Sequence, residues 1–326
     1  MRVGIKNFII SLIFVIIFPI IVFSGLKTDE QNAVETFVTE TSEAVQYCNT
    51  DHKIRLLEND GSVTILPLEE YILSVVLKEM PANFNLEALK AQAIAARTYT
   101  LKCQAHGGKH ATADVCSDPS CCQAYITEDA YLNNGGEKES VVRIKSAVTA
   151  TEGLILLYNG QLIEATYFST SGGMTESAVS VWGSEIPYLQ ATGSPGEEVS
   201  THYLTTQFIE ADDFEKALGI SSADYTGTYI QDIRYTDGGG IESLVICGKS
   251  FTGLELRKLL NLKSTAFSIV PTGNGITITT KGYGHRVGMS QYGANAMAMD
   301  GHSYTEILFH YYSGVEIGTV EDIQPL

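Results

Sequence analysis

Cations are scarce in this chain: 21 Lys and Arg stand against 38 Asp and Glu, a formal net charge of −17 at pH 7. Phosphate backbones are bound through Lys and Arg, so this balance excludes nucleic acid as a partner. A neutral or cationic partner fits better, and the acidity also serves solubility. Proline is sparse, 8 in 326 residues beside 30 Gly, which removes collagen-like and wholly disordered classes. Two catalytic signatures are missing. Without an HExxH there is no zincin-type peptidase. Gly288-Met-Ser290-Gln-Tyr-Gly293 is not G-x-S-x-G and lacks the strand–elbow–helix surroundings, so Ser290 is not read as a hydrolase nucleophile. No internal repeat is present.

The N-terminus holds the longest apolar run. Arg2 and Lys6 precede Phe8 to Phe23, broken only by Ser11 and Pro19 and extended by Gly25 and Leu26. About 20 such residues span a bilayer. Ser24-Gly25 is a poor cleavage site, so residues 1–26 are expected to form an uncleaved, single transmembrane helix. Its basic end should face the cytoplasm, and everything after Lys27 should lie outside. Residues 27–49 are polar and rich in Thr, Glu and Ser, and read as a linker. Residues 50–326 form the folded body.

That body opens with a hairpin, Ile54–Leu57 and Ser62–Leu66, turned at Asn59-Asp60-Gly61. Pro67 starts a helix with one apolar face (Leu68, Tyr71, Ile72, Val75, Val76), which Pro81 ends. An Ala-rich helix follows from the N-cap Asn85 to about Gln104. Residues His106 to Gln123 show no periodicity. Strands are expected at Gly153–Tyr158, Leu162–Ser169, Ser243–Cys247 and Ile276–Thr280. Short helices are expected after Ser171-Gly172-Gly173 and near Gly253–Leu260. Gly238-Gly239-Gly240 reads as a plain turn. A Gly-rich loop, Gly282–Gly288, leads into a helix from Ser290 to about Asp300, and Ser303 with Glu306 caps a last helix that ends by Gly314. Helices and strands do not alternate regularly, so the fold class is α+β.

Three blocks carry a family resemblance. They are Leu68-Glu-Glu-Tyr-Ile-Leu-Ser-Val-Val-Leu-Lys-Glu-Met-Pro81 running on to Glu87-Ala-Leu-Lys-Ala-Gln-Ala-Ile-Ala-Ala-Arg-Thr-Tyr99; Thr166-Tyr-Phe-Ser-Thr-Ser-Gly-Gly-Met-Thr175; and Gly284-His-Arg-Val-Gly-Met-Ser-Gln-Tyr-Gly-Ala294. In this order, from about Lys53 to Glu316, the chain closely resembles the SpoIID/LytB family. The resemblance implies a lytic transglycosylase that cuts peptidoglycan between N-acetylmuramic acid and N-acetylglucosamine, leaving a 1,6-anhydro end. In the sporulation branch, which the N-terminal anchor fits, the substrate is glycan stripped of stem peptides and the process is remodelling during engulfment of the forespore. The resemblance also implies the mother-cell membrane as location, with the catalytic region facing the intermembrane space. The implied partners are an amidase/endopeptidase, stage II sporulation protein P, and a membrane scaffold, stage II sporulation protein M. Some members of the family are described as amidase enhancers, so a non-catalytic glycan-binding activator of an amidase is the alternative.

Locally, Glu79 reads as a solvated helix-end carboxylate beside Lys78 or Lys90. The family's catalytic Glu falls on it. A lytic transglycosylase needs one carboxyl group, acting first as acid and then as base, because the sugar's own 6-hydroxyl replaces water. A helix C-terminus and apolar neighbours Val76, Leu77 and Met80 both favour the protonated form. His285, Ser290, Gln291 and Tyr292 are candidate glycan contacts on the Gly-rich loop and helix start. Tyr167, Ser169 and Ser171 alternate along a strand end and are expected to face one groove. Arg97 is expected either to contact substrate or to tie its helix to a carboxylate. Trp182 reads as core or as a face for a sugar ring.

Of 6 Cys, Cys116, Cys121 and Cys122 fall within seven residues of each other, with His106 and His110 just upstream. His110, Cys116, Cys121 and Cys122 would supply the four ligands of a structural zinc site. In related sporulation proteins the loop reads His, then Cys, then His-Cys; Cys121 stands at the third position here, and His106 or Cys103 is the substitute for it. Disulfides, which an external location permits, and free thiols are the other readings.

Overall fold

The computed structural model describes residues 52–222 and 227–323. The expected transmembrane helix and linker lie outside them, as does Cys48. Among the described residues no helix is long and apolar enough to cross a membrane. The described residues belong to one compact unit, Thr50–Leu326, in which helices and strands are mixed.

The hairpin forms as Lys53–Leu57 against Val63–Pro67, with Ile54 opposite Leu66 and Leu56 opposite Thr64. Asp60 holds its turn by accepting from the Ser62 N–H at 2.9 Å. A two-residue strand, Val115–Cys116, joins the hairpin in parallel, with Leu56 beside Val115. This pairing fixes Cys116 in an otherwise irregular segment.

Helix α1 runs Leu68–Glu79 and helix α2 Leu86–Ala105. The Asn85 side chain caps α2 by accepting from the Glu87 N–H at 3.0 Å. Because Ala88, Ala91, Ala93, Ala95 and Ala96 are small and all fully buried, other elements approach α2 from several sides: α1, the helices Lys138–Ala150, Gln291–Met299 and Tyr304–Tyr311, and the strand Leu154–Tyr158. Burial of this kind, about 25 cal/mol per Å² of apolar surface, is the main force holding such a body together. The helix Tyr304–Tyr311 carries the expected Ser303–Glu306 capping box.

Arg97 sits in this core with no exposed surface and makes paired hydrogen bonds to Glu69, Nε to Oε1 at 2.7 Å and Nη2 to Oε2 at 2.6 Å. Of the two expectations for Arg97, the tie to a carboxylate is the one realised; it does not reach the groove. Truncating one partner strands a buried charge. Arg97→Met is therefore expected to lower unfolding stability by about 3 kcal/mol, and Arg97→Met with Glu69→Leu to recover most of it. Denaturant midpoints check this, and an unchanged midpoint in the single variant contradicts it.

Helices at Glu128–Asn133 and Lys138–Ala150 fill a stretch to which the sequence analysis gave no element. Val141, Ile144, Ala147 and Val148 are buried at helical spacing, but five β-branched residues in thirteen, three Val with one Ile and one Thr, give weak helical propensity. A second, smaller core is built from Phe214, Leu218, Leu244, Ile246, Phe251, Leu256, Ile276 and Ile278. It joins two antiparallel three-stranded sheets, one of Leu204–Glu210, Gly275–Lys281 and Phe267–Thr272, the other of Ile230–Tyr235, Ile241–Ile246 and Lys249–Thr252. The helices Ala211–Leu218 and Gly253–Leu259 complete it. Leu204–Glu210, Ala211–Leu218 and Ile230–Tyr235 lie where no element is expected from the sequence.

Candidate functional site

Two of the sequence blocks meet through backbone pairing. Tyr167–Phe168 runs parallel to Met289–Ser290, with Met289 beside Tyr167 and Ser290 beside Phe168. Bridges between Thr170 and Tyr283 and between Glu176 and Val287 extend the contact. Gly288 is needed here: its φ is +82°, and a Cβ would lie 2.1 Å from the Thr166 carbonyl oxygen. These elements and the end of α1 enclose a cleft of about 900 Å³. Glu79, Tyr167, Ser169, His285 and Gln291 line it, together with Cys121 and Cys122.

Glu79 is the last residue of α1 and partly buried. Its Oε1 accepts from the Ala124 N–H at 2.7 Å, and its Oε2 faces Gln291 Nε2 at 3.5 Å. Burial raises its pKa above the ordinary carboxylate value, and these two donors oppose the rise without cancelling it. Gln291 in turn faces Gln92 Oε1 at 3.4 Å, which turns the Gln291 amide donor toward Glu79. Tyr167 donates from its hydroxyl to Gln123 Oε1 at 2.7 Å, and Gln123 Nε2 donates to Thr100 at 2.9 Å. Burial and then the Glu79 charge hold the Tyr167 phenol well above its usual pKa, so it is a neutral donor.

His285 has its pKa pushed down to about 4, first by burial and then by the Arg257 charge, against a hydrogen bond with the Tyr167 backbone. Its Nδ1 accepts from the Val287 N–H at 3.1 Å, which leaves the neutral ring's proton on Nε2. Trp182 is 42% exposed and lines the cleft 5.8 Å from the His285 ring; it is not a core residue. Glu164 also lines the cleft.

Three predicted contacts lie elsewhere. Ser171 and Ser290 have no exposed surface. Both turn to Glu197, a residue the sequence analysis passed over. Its Oε2 accepts from Thr170 Oγ1, Ser171 Oγ and the Ser171 and Gly172 N–H groups at 2.8–2.9 Å. Its Oε1 accepts from Ser194 Oγ at 2.7 Å and from Ser290 Oγ. The alternation expected over Tyr167, Ser169 and Ser171 therefore breaks after Ser169, where regular strand has already ended at Phe168. Ser290 also caps its helix through the Gly293 N–H. Tyr292 packs edge-on against Phe84 at 5.0 Å and does not line the cleft.

Glu176 is a second buried organiser. It pairs with Arg286 at 3.3 Å and accepts from the Gly240 N–H at 3.0 Å. Arg286 also donates to the Gly238 carbonyl at 2.7 Å, and a Cβ on Gly238 would lie 2.3 Å from the Thr175 oxygen. The Gly238–Gly240 run forms the expected turn, with the Gly239 N–H donating to the Thr236 carbonyl at 3.0 Å, and is in addition a close-approach site. Glu197, in a Gly/Ser/Pro loop, and Glu176 had no local signal that separates them from solvated acids.

His110, Cys116, Cys121 and Cys122 converge, with all ligand atoms within 4.8 Å of one another. Cys121 and Cys122 Sγ lie 3.8 and 3.6 Å from His110 Nε2 and 3.9 Å from each other. Tetrahedral zinc with ordinary bond lengths requires edges of roughly 3.8 Å for S···S and roughly 3.6 Å for S···N, so the His110, Cys121 and Cys122 edges fit the ion, and Cys116, within 4.8 Å of the others, would close in by about 1 Å as the fourth ligand. The described cysteines are free thiols, and His106 and Cys103 are not in the cluster. Four protein ligands would close the site, leaving no open position for a reacting water. Two residues beyond Cys122, Ala124 supplies the N–H held by Glu79.

A family model described as Stage II sporulation protein matches residues 58–158. The chain is 41% identical to Stage II sporulation protein D of Bacillus amyloliquefaciens over 81% of its own length and 77% of the relative's. It is 39% identical to the protein of that name from Bacillus subtilis (strain 168), over 80% and 77%. It is also 30% identical to a Bacillus subtilis protein named Amidase enhancer, over 74% of this chain and 39% of that one.

Proposed function

The chain belongs to the SpoIID family of sporulation proteins, and from that premise we propose that it is a peptidoglycan lytic transglycosylase with Glu79 as acid and base. One observation carries the reading: a partly buried carboxyl group with a raised pKa stands in a cleft of about 900 Å³. Protonated Glu79 gives its proton to the glycosidic oxygen as the bond from C1 of N-acetylmuramic acid breaks. The same sugar's 6-hydroxyl oxygen then bonds to C1, and its proton returns to Glu79. The donors of Tyr167 and Gln291 are engaged by Gln123, Glu79 and Gln92, so the Tyr167 phenol oxygen and the Gln291 amide carbonyl are the acceptors offered to sugar hydroxyls, and Ser169, His285 and Trp182 complete the wall. Zinc, held by His110, Cys116, Cys121 and Cys122, would fasten the loop that presents the Ala124 N–H; it has no chemical role.

The setting proposed is engulfment, on the mother-cell membrane facing the intermembrane space, with stage II sporulation proteins P and M as partners. The relative named Amidase enhancer keeps a second reading open, a glycan-binding activator of an amidase. Products decide between them. The full chain in detergent, mixed with peptide-free glycan strands, is expected to yield anhydro-muramyl ends by mass spectrometry. Reducing ends would mean a water-using hydrolase, with Glu164 as the second carboxylate. Intact strands that remain bound would favour the activator.

A further inference from the structure

Two buried glutamines stand behind the Glu79 carboxyl group, and one of them is poorly satisfied. Gln291, the first residue of the helix Gln291–Met299, turns one atom, Nε2, to Glu79 Oε2 at 3.5 Å and to Gln92 Oε1 at 3.4 Å. Gln92, on α2, has no exposed surface, and its own Nε2 has no hydrogen-bond partner among the described residues. A buried donor left in this way is rare and costs free energy. The arrangement suits ionised Glu79, because both groups that meet its oxygens are donors. It does not suit the acid. Oε1 meets the Ala124 N–H at 2.7 Å and cannot carry the proton, so the proton sits on Oε2. There it meets the Gln291 NH2, donor against donor. A half-turn of a terminal amide exchanges its oxygen for its NH2 and keeps its shape. Turning Gln291 gives the Oε2–H an acceptor but sets the Gln291 oxygen against Gln92 Oε1. Turning Gln92 as well removes that conflict, because its unpaired Nε2 then donates to the Gln291 oxygen. What is left unpaired is a carbonyl, which buried sites tolerate better than an orphan N–H.

We propose that Gln291 and Gln92 turn together whenever Glu79 gains or loses its proton, with Gln92 as the positioning residue that makes the turn possible. The proposal rests on the acid/base reading of Glu79 and adds the device that serves both halves of it. Protonated Glu79 donates to the Gln291 oxygen; ionised Glu79 accepts from the Gln291 NH2. Each form has a contact of the same kind, so the pair opposes proton transfer in neither direction. The turn itself makes and breaks no covalent bond, and the proton travels only between Glu79 and the sugar. A fixed pair behaves differently: Gln92 Oε1 holds the Gln291 donor on Glu79 and favours the carboxylate alone.

Magnetic resonance of the full-length chain in detergent, labelled with carbon-13 at Glu carboxyl groups and nitrogen-15 at Gln amides, tests this. The Glu79 and Gln92 signals are assigned by their loss in Glu79→Gln and Gln92→Leu. In the wild type the Gln92 amide is expected to shift at the same pH as the Glu79 carboxyl, its protons moving downfield as the acid forms. Gln92→Met keeps the length and a weak acceptor but has no donor. It supports only ionised Glu79 and should lower the Glu79 midpoint by about half a unit, roughly three-fold in the acid-to-base ratio and within the scale of one hydrogen bond. Gln92→Leu offers neither group, so it should leave the midpoint within about 0.2 unit; it also controls for packing. Lys109, Glu164, Cys121, Cys122, Tyr99, Tyr167 and His285 face the same cleft in every variant. His285 stays neutral above about 4, and burial holds the Tyr99 and Tyr167 phenols up. A difference between variants therefore belongs to residue 92. A Gln92 signal that stays flat through the Glu79 transition, or a midpoint that rises in either variant, overturns the turning pair alone. Wild-type protein that leaves peptide-free strands uncut overturns the acid/base reading and the pair with it.

Discussion

Glu79→Gln is expected to lower strand cleavage at least about a thousand-fold, within the range that a positioned general acid contributes, while glycan binding stays within about two-fold. Glutamine keeps the shape, and its carbonyl can still accept the Ala124 N–H, so the proton is lost together with only the long 3.5 Å contact to Gln291. The pH dependence follows from the raised pKa, which burial causes and the Ala124 and Gln291 donors oppose. The working form is protonated, so activity falls as pH rises through the folded pKa, and that alkaline limb lies above the ordinary carboxylate range. Stability has the same sign. A carboxyl whose folded pKa exceeds its unfolded value contributes stability that is fully present below the unfolded pKa and is lost as pH rises through the folded one. Glu79→Gln should therefore melt higher than wild type at neutral pH, with the gap closing in acid. Rates and melting curves from pH 4 to 9, on the order of one point per half unit, check both limbs. A variant that keeps a tenth of the activity, or melts below wild type at neutral pH, would remove Glu79 from the acid role.

What could be read from the sequence was local. The hairpin turn, the Asn85 cap and the Ser303–Glu306 capping box each depend on residues within a few positions of one another, and all formed as expected. What escaped was long-range. Glu197 collects donors from residues 170–172, 194 and 290, and Glu176 joins residue 286 to residue 240. Nothing near Glu197 or Glu176 in sequence marks it as a buried acceptor. The same blindness misplaced Ser171 and Ser290. Their residue types suit sugar hydroxyls, but a buried carboxylate needs donors and took both. Trp182 was ambiguous because one aromatic residue has no periodicity to read; only the fold decides that it faces the cleft. The cysteine cluster was legible because the residues carrying its chemistry lie in a short irregular segment, so little folding was needed to bring them together.

Removing the metal is expected to loosen the segment from Lys109 to Gln123 and, through it, the active carboxyl group. Purified protein should carry one zinc per chain by elemental analysis. Structural zinc sites in small domains bind with about 10 kcal/mol or more, so even partial coupling of that energy to the loop exceeds most single contacts. Chelation should lower the melting temperature by several degrees, taking roughly 1 kcal/mol as a few degrees in a body of this size. It should also cut cleavage by ten-fold or more, and added zinc should restore both. The reason lies in the connection: Cys121 and Cys122 lead directly into Gln123, which receives the Tyr167 hydroxyl, and Ala124, which donates to Glu79. Cys122→Ser should reproduce the chelated state, and zinc should no longer rescue it. Cys247→Ser, outside the cluster, should change neither metal content nor rate. Protein that lacks zinc, melts unchanged in chelator and yields disulfide-linked peptides from this segment would return the cluster to a redox role and leave Glu79 to be positioned by α1 and Gln291 alone.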